Sequence, residues 1–109
     1  HPMSISPAEH PTVERALQDV VVGGPLCESG DIFTQADGGF VRTRALPTAK
    51  VGDLLVIECA GAYGVVMGSN YNSKPMAAEV LVTDASPQLI RRRQTFEEMV
   101  AGEIIPGSA

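Results

Sequence analysis

Apolar residues in this chain come in short runs, and each run is cut within a few positions by glycine, proline or a polar turn. Val20–Val22 stops at Gly23-Gly24, Leu54–Ile57 follows Gly52-Asp53, and Val80–Val82 gives way to "DASP". Runs of this length do not make amphipathic helices, whereas strands bounded by Gly and Pro fit them well. With 11 Gly and 8 Pro spread over 109 residues, the even spacing predicts an all-β fold: a small antiparallel β-barrel or sandwich, Greek-key-like, around one core.

The segments are individually legible. The opening "HPMSISPAEHP" carries three prolines and two histidines and suits an extended lead-in more than a packed element. "ERALQDVVVGG" favours a strand through its Val20–Val22 run. "FVRTRAL" alternates, with Phe40, Arg42 and Arg44 on one face and Val41, Thr43 and Ala45 on the other. The "ADGG" before it predicts a hairpin. "LPTAKVGDLLVIECAGAYG" reads as a turn, a buried strand from about Asp53 to Ala60 and a Gly-rich corner at Gly61 to Gly64. "AAEVLVT", the turn "DASP" and a last strand near "QLIRR" follow. Only "TFEEM" predicts a helix, with Thr95 as N-cap and Glu98 closing a capping box, and Gly102 as its stop.

Charge and composition remove several functions. The formal charge of −5 argues against nucleic acid or an anionic membrane as partner, because both require a basic face. Arg91-Arg92-Arg93 is too short a run to reverse that and is expected on the surface. No stretch approaches the roughly 20 apolar residues of a membrane helix, and the opening lacks a signal peptide's charged and apolar regions. The chain therefore reads as soluble. Two cysteines, Cys27 and Cys59, make no disulfide framework and fit a reducing cytoplasm.

Chemistry concentrates in two places. "GPLCESGDI", Gly24 to Ile32, places a thiol, two carboxylates and a hydroxyl in one turn-like stretch too polar for a core strand. A tuned thiol can move a proton near neutrality, and an adjacent carboxylate can bind an amine. The same residues also fit a plain turn in which Asp31 or Ser29 caps backbone amides and Cys27 packs as a small hydrophobe. A lone Cys with two acids is no zinc site. His1 and His10 both lie in the Pro-rich opening, so nucleophilic hydrolysis has no evident base. The second place is "AGAYGVVMGSNYN", Ala60 to Asn72, where glycines around Tyr63 thin the side-chain cover and Tyr71 adds polar reach. An ordinary barrel corner with aromatic packing would look the same.

Taken in order, "GPLCESGD", "LPTAKVGDLLVIECAGAYG", "SNYNSKPMAAEVLV" and "LIRRRQTFEEM" resemble the C-terminal β-domain of the diaminopimelate decarboxylase family. These are pyridoxal-phosphate enzymes of the alanine-racemase-like fold type. The resemblance runs from about Gly23 to Met99, and "HPMSI" is similar to the family's His-Pro lead-in. Lys74 and Met76 depart from the family's "SRPRP" pattern, and Ser6 to Gln18 match no part of it.

The resemblance implies a two-domain enzyme, a TIM-like barrel plus this β-domain. A TIM barrel needs about 250 residues, so 1–109 would be the C-terminal β-barrel domain, a fragment inactive alone. The lysine that anchors pyridoxal 5'-phosphate would lie outside it; Lys50 and Lys74 sit beside turn residues and match no such motif. The family pairs the barrel of one subunit with the β-domain of its dimer partner, which implies a homodimer with shared active sites. Cys27 would then donate the proton that quenches the Cα carbanion after CO2 leaves, and Glu28 would bind the distal ammonium of meso-diaminopimelate. Tyr63 would contact the cofactor phosphate or the substrate, and Asp31 and Ser29 would shape the loop. No metal is implied. Related decarboxylases of ornithine, arginine or carboxynorspermidine usually place Asp after the Cys, so Cys27-Glu28 favours the diaminopimelate class. Enzymes of carrier-bound amino acids and a non-catalytic β-barrel binding or dimerisation module are the other readings.

Overall fold

A computed structural model describes residues 1–8 and 14–107. The chain divides into two compact units, His1–Val66 and Met67–Ala109, and the elements of the described residues are mostly strands with one short α-helix, as expected.

Among the described residues the first unit holds four strands: β1 (Met3–Ser6), β2 (Leu17–Val20), β3 (Arg44–Pro47) and β4 (Leu54–Ile57). They form two nested antiparallel pairs. β1 runs against β4 from Met3 opposite Ile57 to Ser6 opposite Leu54, and β2 runs against β3 from Leu17 opposite Pro47 to Val20 opposite Arg44. The opening is thus not merely an extended lead-in. Met3 and Ile5 turn inward while Ser4 and Ser6 face out, the period-two pattern of a strand, and Pro2 and Pro7 flank the ladder rather than interrupt it. His10 and Pro11 lie outside the described residues.

Leu46 on β3 is buried at 5% exposure. Near it Ile5, Val20, Val22, Pro47 and Leu55 line an apolar cavity of about 320 Å³. Burial is partial elsewhere. The strand expected to be buried from Asp53 to Ala60 spans only Leu54–Ile57, and Leu54 and Val56 are exposed. A continuous apolar run marks a strand covered on both faces; β4 is instead one half of a two-stranded ladder. The "ADGG" hairpin is also shorter than expected. Asp37–Gly39 form a single 3-10 turn, closed by one bridge between Gln35 and Val41 and by the Ala36 amide donating to the Phe40 carbonyl at 2.8 Å. The ladder strand begins only at Arg44 and pairs with β2, because the register is set across the sheet rather than by the turn.

In the second unit β5 (Glu79–Thr83) and β6 (Ser86–Arg91) make a hairpin whose two-residue turn, Asp84-Ala85, has positive φ at both positions (50° and 60°). This is the turn geometry that matches the twist of the flanking strands. A bulge falls between Glu79 and Val80, and Arg91 on β6 reaches back to Glu79 at 3.1 Å. Helix α1 (Phe96–Met99) carries the expected capping box: the Thr95 hydroxyl accepts from the Glu98 amide and the Glu98 carboxylate accepts from the Thr95 amide. The helix ends at Met99, three residues before Gly102.

Among the described residues the six strands make three two-stranded sheets and no closed barrel. A barrel requires every strand to pair along both edges, and here each strand has one partner. Short segments with turn chemistry specify strands and hairpins locally, but closure depends on pairings between distant edges, which local pattern does not encode.

Candidate functional site

The stretch Gly24 to Ile32 forms a loop whose neck is closed by backbone pairing. Phe33 N donates to the Val22 carbonyl at 2.8 Å and Gly24 N to the Asp31 carbonyl at 2.8 Å, with Gly23 and Ile32 bridged between them. Below the neck Thr34, 2% exposed, accepts from the Val22 amide at 3.0 Å. A buried hydroxyl must find a partner, and this one ties the loop to the interior of the unit.

Within the loop both acids accept from backbone amides. Asp31 Oδ2 accepts from the Leu26 amide at 2.8 Å, and Asp31 N donates to the Glu28 carbonyl at 3.1 Å. Glu28 Oε1 accepts from the Gly30 amide at 2.9 Å and from the Ser29 hydroxyl at 3.5 Å. Gln35 Nε2 donates to the Gly30 carbonyl at 3.3 Å. The plain-turn alternative is thus half realised, since Asp31 does cap a backbone amide. Its other half fails: Cys27 is exposed rather than packed, and Glu28 beside it is exposed as well. The loop is a braced frame that carries an adjacent thiol and carboxylate at the surface.

Gly24 is part of that frame. A Cβ there would overlap the Asp31 carboxylate, so glycine is what allows the acid to lie against the backbone.

Tyr63 stands on a different corner of the same unit, in the turn after β4. Its φ is 65° and its ring is 74% exposed. Left-handed backbone costs an L-residue about 1–2 kcal/mol, and strain of this kind gathers where a side chain must be aimed. Gly64 enables the corner: its amide donates to the Gly61 carbonyl at 3.2 Å, and a Cβ on it would stand 2.9 Å from the Ala60 carbonyl oxygen. Tyr71 begins a 3-10 turn in the second unit. There Asn70 Nδ2 donates to Lys74 O at 2.9 Å and to Gln94 Oε1 at 2.6 Å, while Gln94 also accepts from the Met76 amide at 2.9 Å.

Cys59 is exposed with φ 55°, in the turn after β4 rather than in a core. Arg92 and Arg93 are exposed, as expected; Arg91 is half-buried against Glu79. Among the described residues no three His, Cys, Asp or Glu side chains gather as a metal-binding group, and no helix is long and apolar enough to cross a membrane. Three structural residues escaped the sequence reading. Thr34 and Gln94 have no local signature, and Arg15 lies far from its partner Asp53 in the chain. The arrangement "KVGD" does place Asp53 three residues after Lys50, and its carboxylate accepts from the Lys50 amide at 2.6 Å. That is a turn signal legible in retrospect.

Residues 1–61 match the family model described as pyridoxal-dependent decarboxylase, C-terminal sheet domain. The chain belongs to this family. Among curated relatives of this decarboxylase sheet domain, the diaminopimelate decarboxylase of Escherichia coli strain K12 is 58% identical over 98 residues, covering 89% of this chain and 22% of that protein. The diaminopimelate decarboxylase of Streptomyces coelicolor is 49% identical over 109 residues, covering all of this chain and 25% of that protein. A crystal structure of diaminopimelate decarboxylase matches with a TM-score of 0.87 at 54% identity, over 93% of this chain and 24% of that one. The Helicobacter pylori diaminopimelate decarboxylase complexed with L-lysine matches at 0.73 and 31% identity, over 93% of this chain and 22% of that one. The chain spans about a quarter of the length of the relatives it matches. The family expected from the four motifs is the one found.

Proposed function

We propose that this chain is the C-terminal β-domain of an enzyme that converts meso-2,6-diaminopimelate to L-lysine and CO2 with pyridoxal 5'-phosphate. The observation that carries the reading is the braced loop, which holds the consecutive residues Cys27 and Glu28 at the surface in a chain 58% identical to a diaminopimelate decarboxylase.

The residues present fit one edge of a pyridoxal phosphate site. Tyr63 offers an exposed phenol beside Gly61, where a Cβ would meet nothing within 4 Å, a place where a phosphate or a substrate group can approach. When bound, the cofactor draws off the electron pair left at Cα as CO2 departs. This chain's part is the proton. Cys27 Sγ–H transfers it to Cα, and the thiolate recovers a proton from solvent, to which the loop is open. Glu28 turns from the Gly30 amide to the distal ammonium of the substrate, exchanging a neutral donor for a charged one. An ornithine-type substrate also carries a distal ammonium, but its shorter chain does not bring it as far as Glu28 when Cα stands at Cys27.

The three two-stranded sheets belong, in this reading, to a β-barrel or sandwich completed by the rest of the polypeptide, whose TIM-like barrel carries the anchoring lysine. Successive β5 and β6 residues Val80, Leu81, Val82, Leu89 and Ile90 are all exposed, which is what a sheet awaiting cover on both faces looks like. The enzyme is a homodimer in which Cys27 serves its partner's site, and the exposed, unbridged thiols suit the cytoplasm.

The test is CO2 release by the full-length polypeptide with pyridoxal phosphate, offered meso-diaminopimelate and ornithine in parallel. Release from diaminopimelate is expected; release from ornithine alone would refute the substrate assignment.

A further inference from the structure

We infer that Asp31 is the positioning residue for the Cys27–Glu28 pair, acting through a single acceptor bond inside the loop. The inference rests on the reading of Cys27 and Glu28 given above and assigns to a third residue the task of holding them in place.

Three bonds of Asp31 bracket the pair. Its carboxylate accepts from Leu26 N at 2.8 Å on one side of Cys27. Its amide donates to the carbonyl of Glu28 at 3.1 Å on the other. Its own carbonyl accepts from Gly24 at the neck, again at 2.8 Å. The segment from Leu26 to Glu28 is therefore hung from one residue at both ends, and that residue is fixed to the base of the loop. Four further features agree. Asp31 is half-buried, whereas Cys27, Glu28, Ser29 and Gly30 are exposed. The carboxylate lies where a Cβ of Gly24 would be, so only glycine leaves it room. No basic side chain pairs with Asp31 among the described ion pairs, which leaves a backbone amide as its partner. The printed bonds of the Glu28 carboxylate run to the Gly30 amide and the Ser29 hydroxyl, beyond the pair, whereas those of Asp31 fall on either side of it.

The role is geometric. An acceptor oxygen at the Asp31 position is what Leu26 N–H requires, and asparagine supplies the same oxygen at nearly the same shape. Alanine supplies none, leaving the Leu26 amide to seek water and the tip to spread over many conformations. A reacting group displaced by about 1 Å loses rate by roughly a hundredfold.

The experiment uses the full-length holoenzyme with Asp31→Ala, Asp31→Asn and Gly24→Ala. Two quantities are read: kcat with KM on diaminopimelate, and the rate of iodoacetamide alkylation at Cys27, taken from the mass of its own peptide. Asp31→Ala is expected to lower kcat by about tenfold or more and to change the alkylation rate by about fivefold or more. Asp31→Asn should return both to within about threefold of the parent. Gly24→Ala, which keeps the acid but fills its place, should shift both in the direction of Asp31→Ala. Parent-like values for Asp31→Ala would overturn the inference. So would an Asp31→Asn variant as impaired as Asp31→Ala, because charge and not the acceptor would then be what matters. If Asp31→Ala and Gly24→Ala do not accumulate as holoenzyme, amide exchange decides: slowed exchange at Leu26 in the parent and in Asp31→Asn supports the bond, and unprotected exchange refutes it. A Cys27→Ala variant separates the two layers. Full turnover there removes the donor role of Cys27, while the alkylation and exchange results still judge Asp31.

Discussion

Arg15 and Asp53, 38 positions apart, close an ion pair whose side chains are only 10% and 5% exposed. Arg15 precedes β2 and also donates to the Thr48 carbonyl at 3.0 Å just beyond β3. Asp53 precedes β4 and accepts from the amides of Ala8 at 3.1 Å and Lys50 at 2.6 Å. One guanidinium and one carboxylate thus join the ends of all four strands of the first unit. A shielded pair depends on further hydrogen bonds to its charged groups, and here the Ala8 and Lys50 amides supply them to the Asp53 carboxylate.

The same pair makes the unit acid-sensitive. The Arg15 hydrogen bond above all, and then the Lys50 amide, hold the Asp53 carboxyl well below the usual carboxylate range. A folded-state value below the unfolded one stabilises the fold above the unfolded value, about 3.9, and that stability drains away as pH falls further. Asp53→Asn should lower the melting temperature at pH 7 and flatten the loss of stability below about pH 4. Melting curves of the full-length protein from pH 7 to pH 2.5 check this; parallel curves for parent and variant would count against it.

Cys27→Ala should reduce kcat by about 10²- to 10⁴-fold, the range of a lost proton donor, while the cofactor stays bound. Steady-state CO2 release together with the absorption spectrum of the holoenzyme measures both.

Glu28→Gln should act mainly on recognition. Loss of a charge-assisted bond to an ammonium corresponds to roughly ten- to a hundredfold in KM, with kcat changed much less. The informative comparison is the ratio of kcat/KM for diaminopimelate to that for a substrate lacking the distal ammonium, which should collapse in the variant.

Tyr63→Phe keeps the ring and removes only the phenol oxygen. If that oxygen meets the cofactor phosphate, the Kd for pyridoxal phosphate should rise about tenfold, as for one hydrogen bond to a charged group, with stability unchanged. Absorbance titration of the apoenzyme gives the answer, and an unaltered Kd would move Tyr63 from the cofactor to the substrate.

Thr95→Ala removes the hydroxyl that accepts from Glu98 N at 3.3 Å and should cost about 1 kcal/mol, the usual worth of an N-cap. Glu98 adds a pH signature. Its bond to Arg92, then that to the Thr95 amide, lowers its carboxyl from 4.5 to about 2, so its stabilising effect is complete above pH 4.5 and fades between there and about pH 2. Amide exchange at Thr95 and Glu98 across that window follows the cap directly.

Local chemistry in the sequence determined the local features. Thr95 and Glu98 announced their capping box, "DASP" its tight turn, and the polar cluster from Gly24 to Ile32 the loop around Cys27, because capping and turn preferences act over three or four residues. The family, too, was legible from four motifs in order. Tertiary structure alone decided what lies between distant residues: that β2 pairs with β3 and β1 with β4, that Arg15 finds Asp53, that Thr34 is buried under the loop neck, and that Asp31 lies against Gly24. It also decided that Leu54 and Val56 stand exposed where an apolar run suggested burial. The physical reason is the same in each case. Strand edges, ion pairs and sheet faces are satisfied by whichever partner the folded chain brings within a few ångströms, and alternation or turn chemistry in one segment carries no record of which segment that will be.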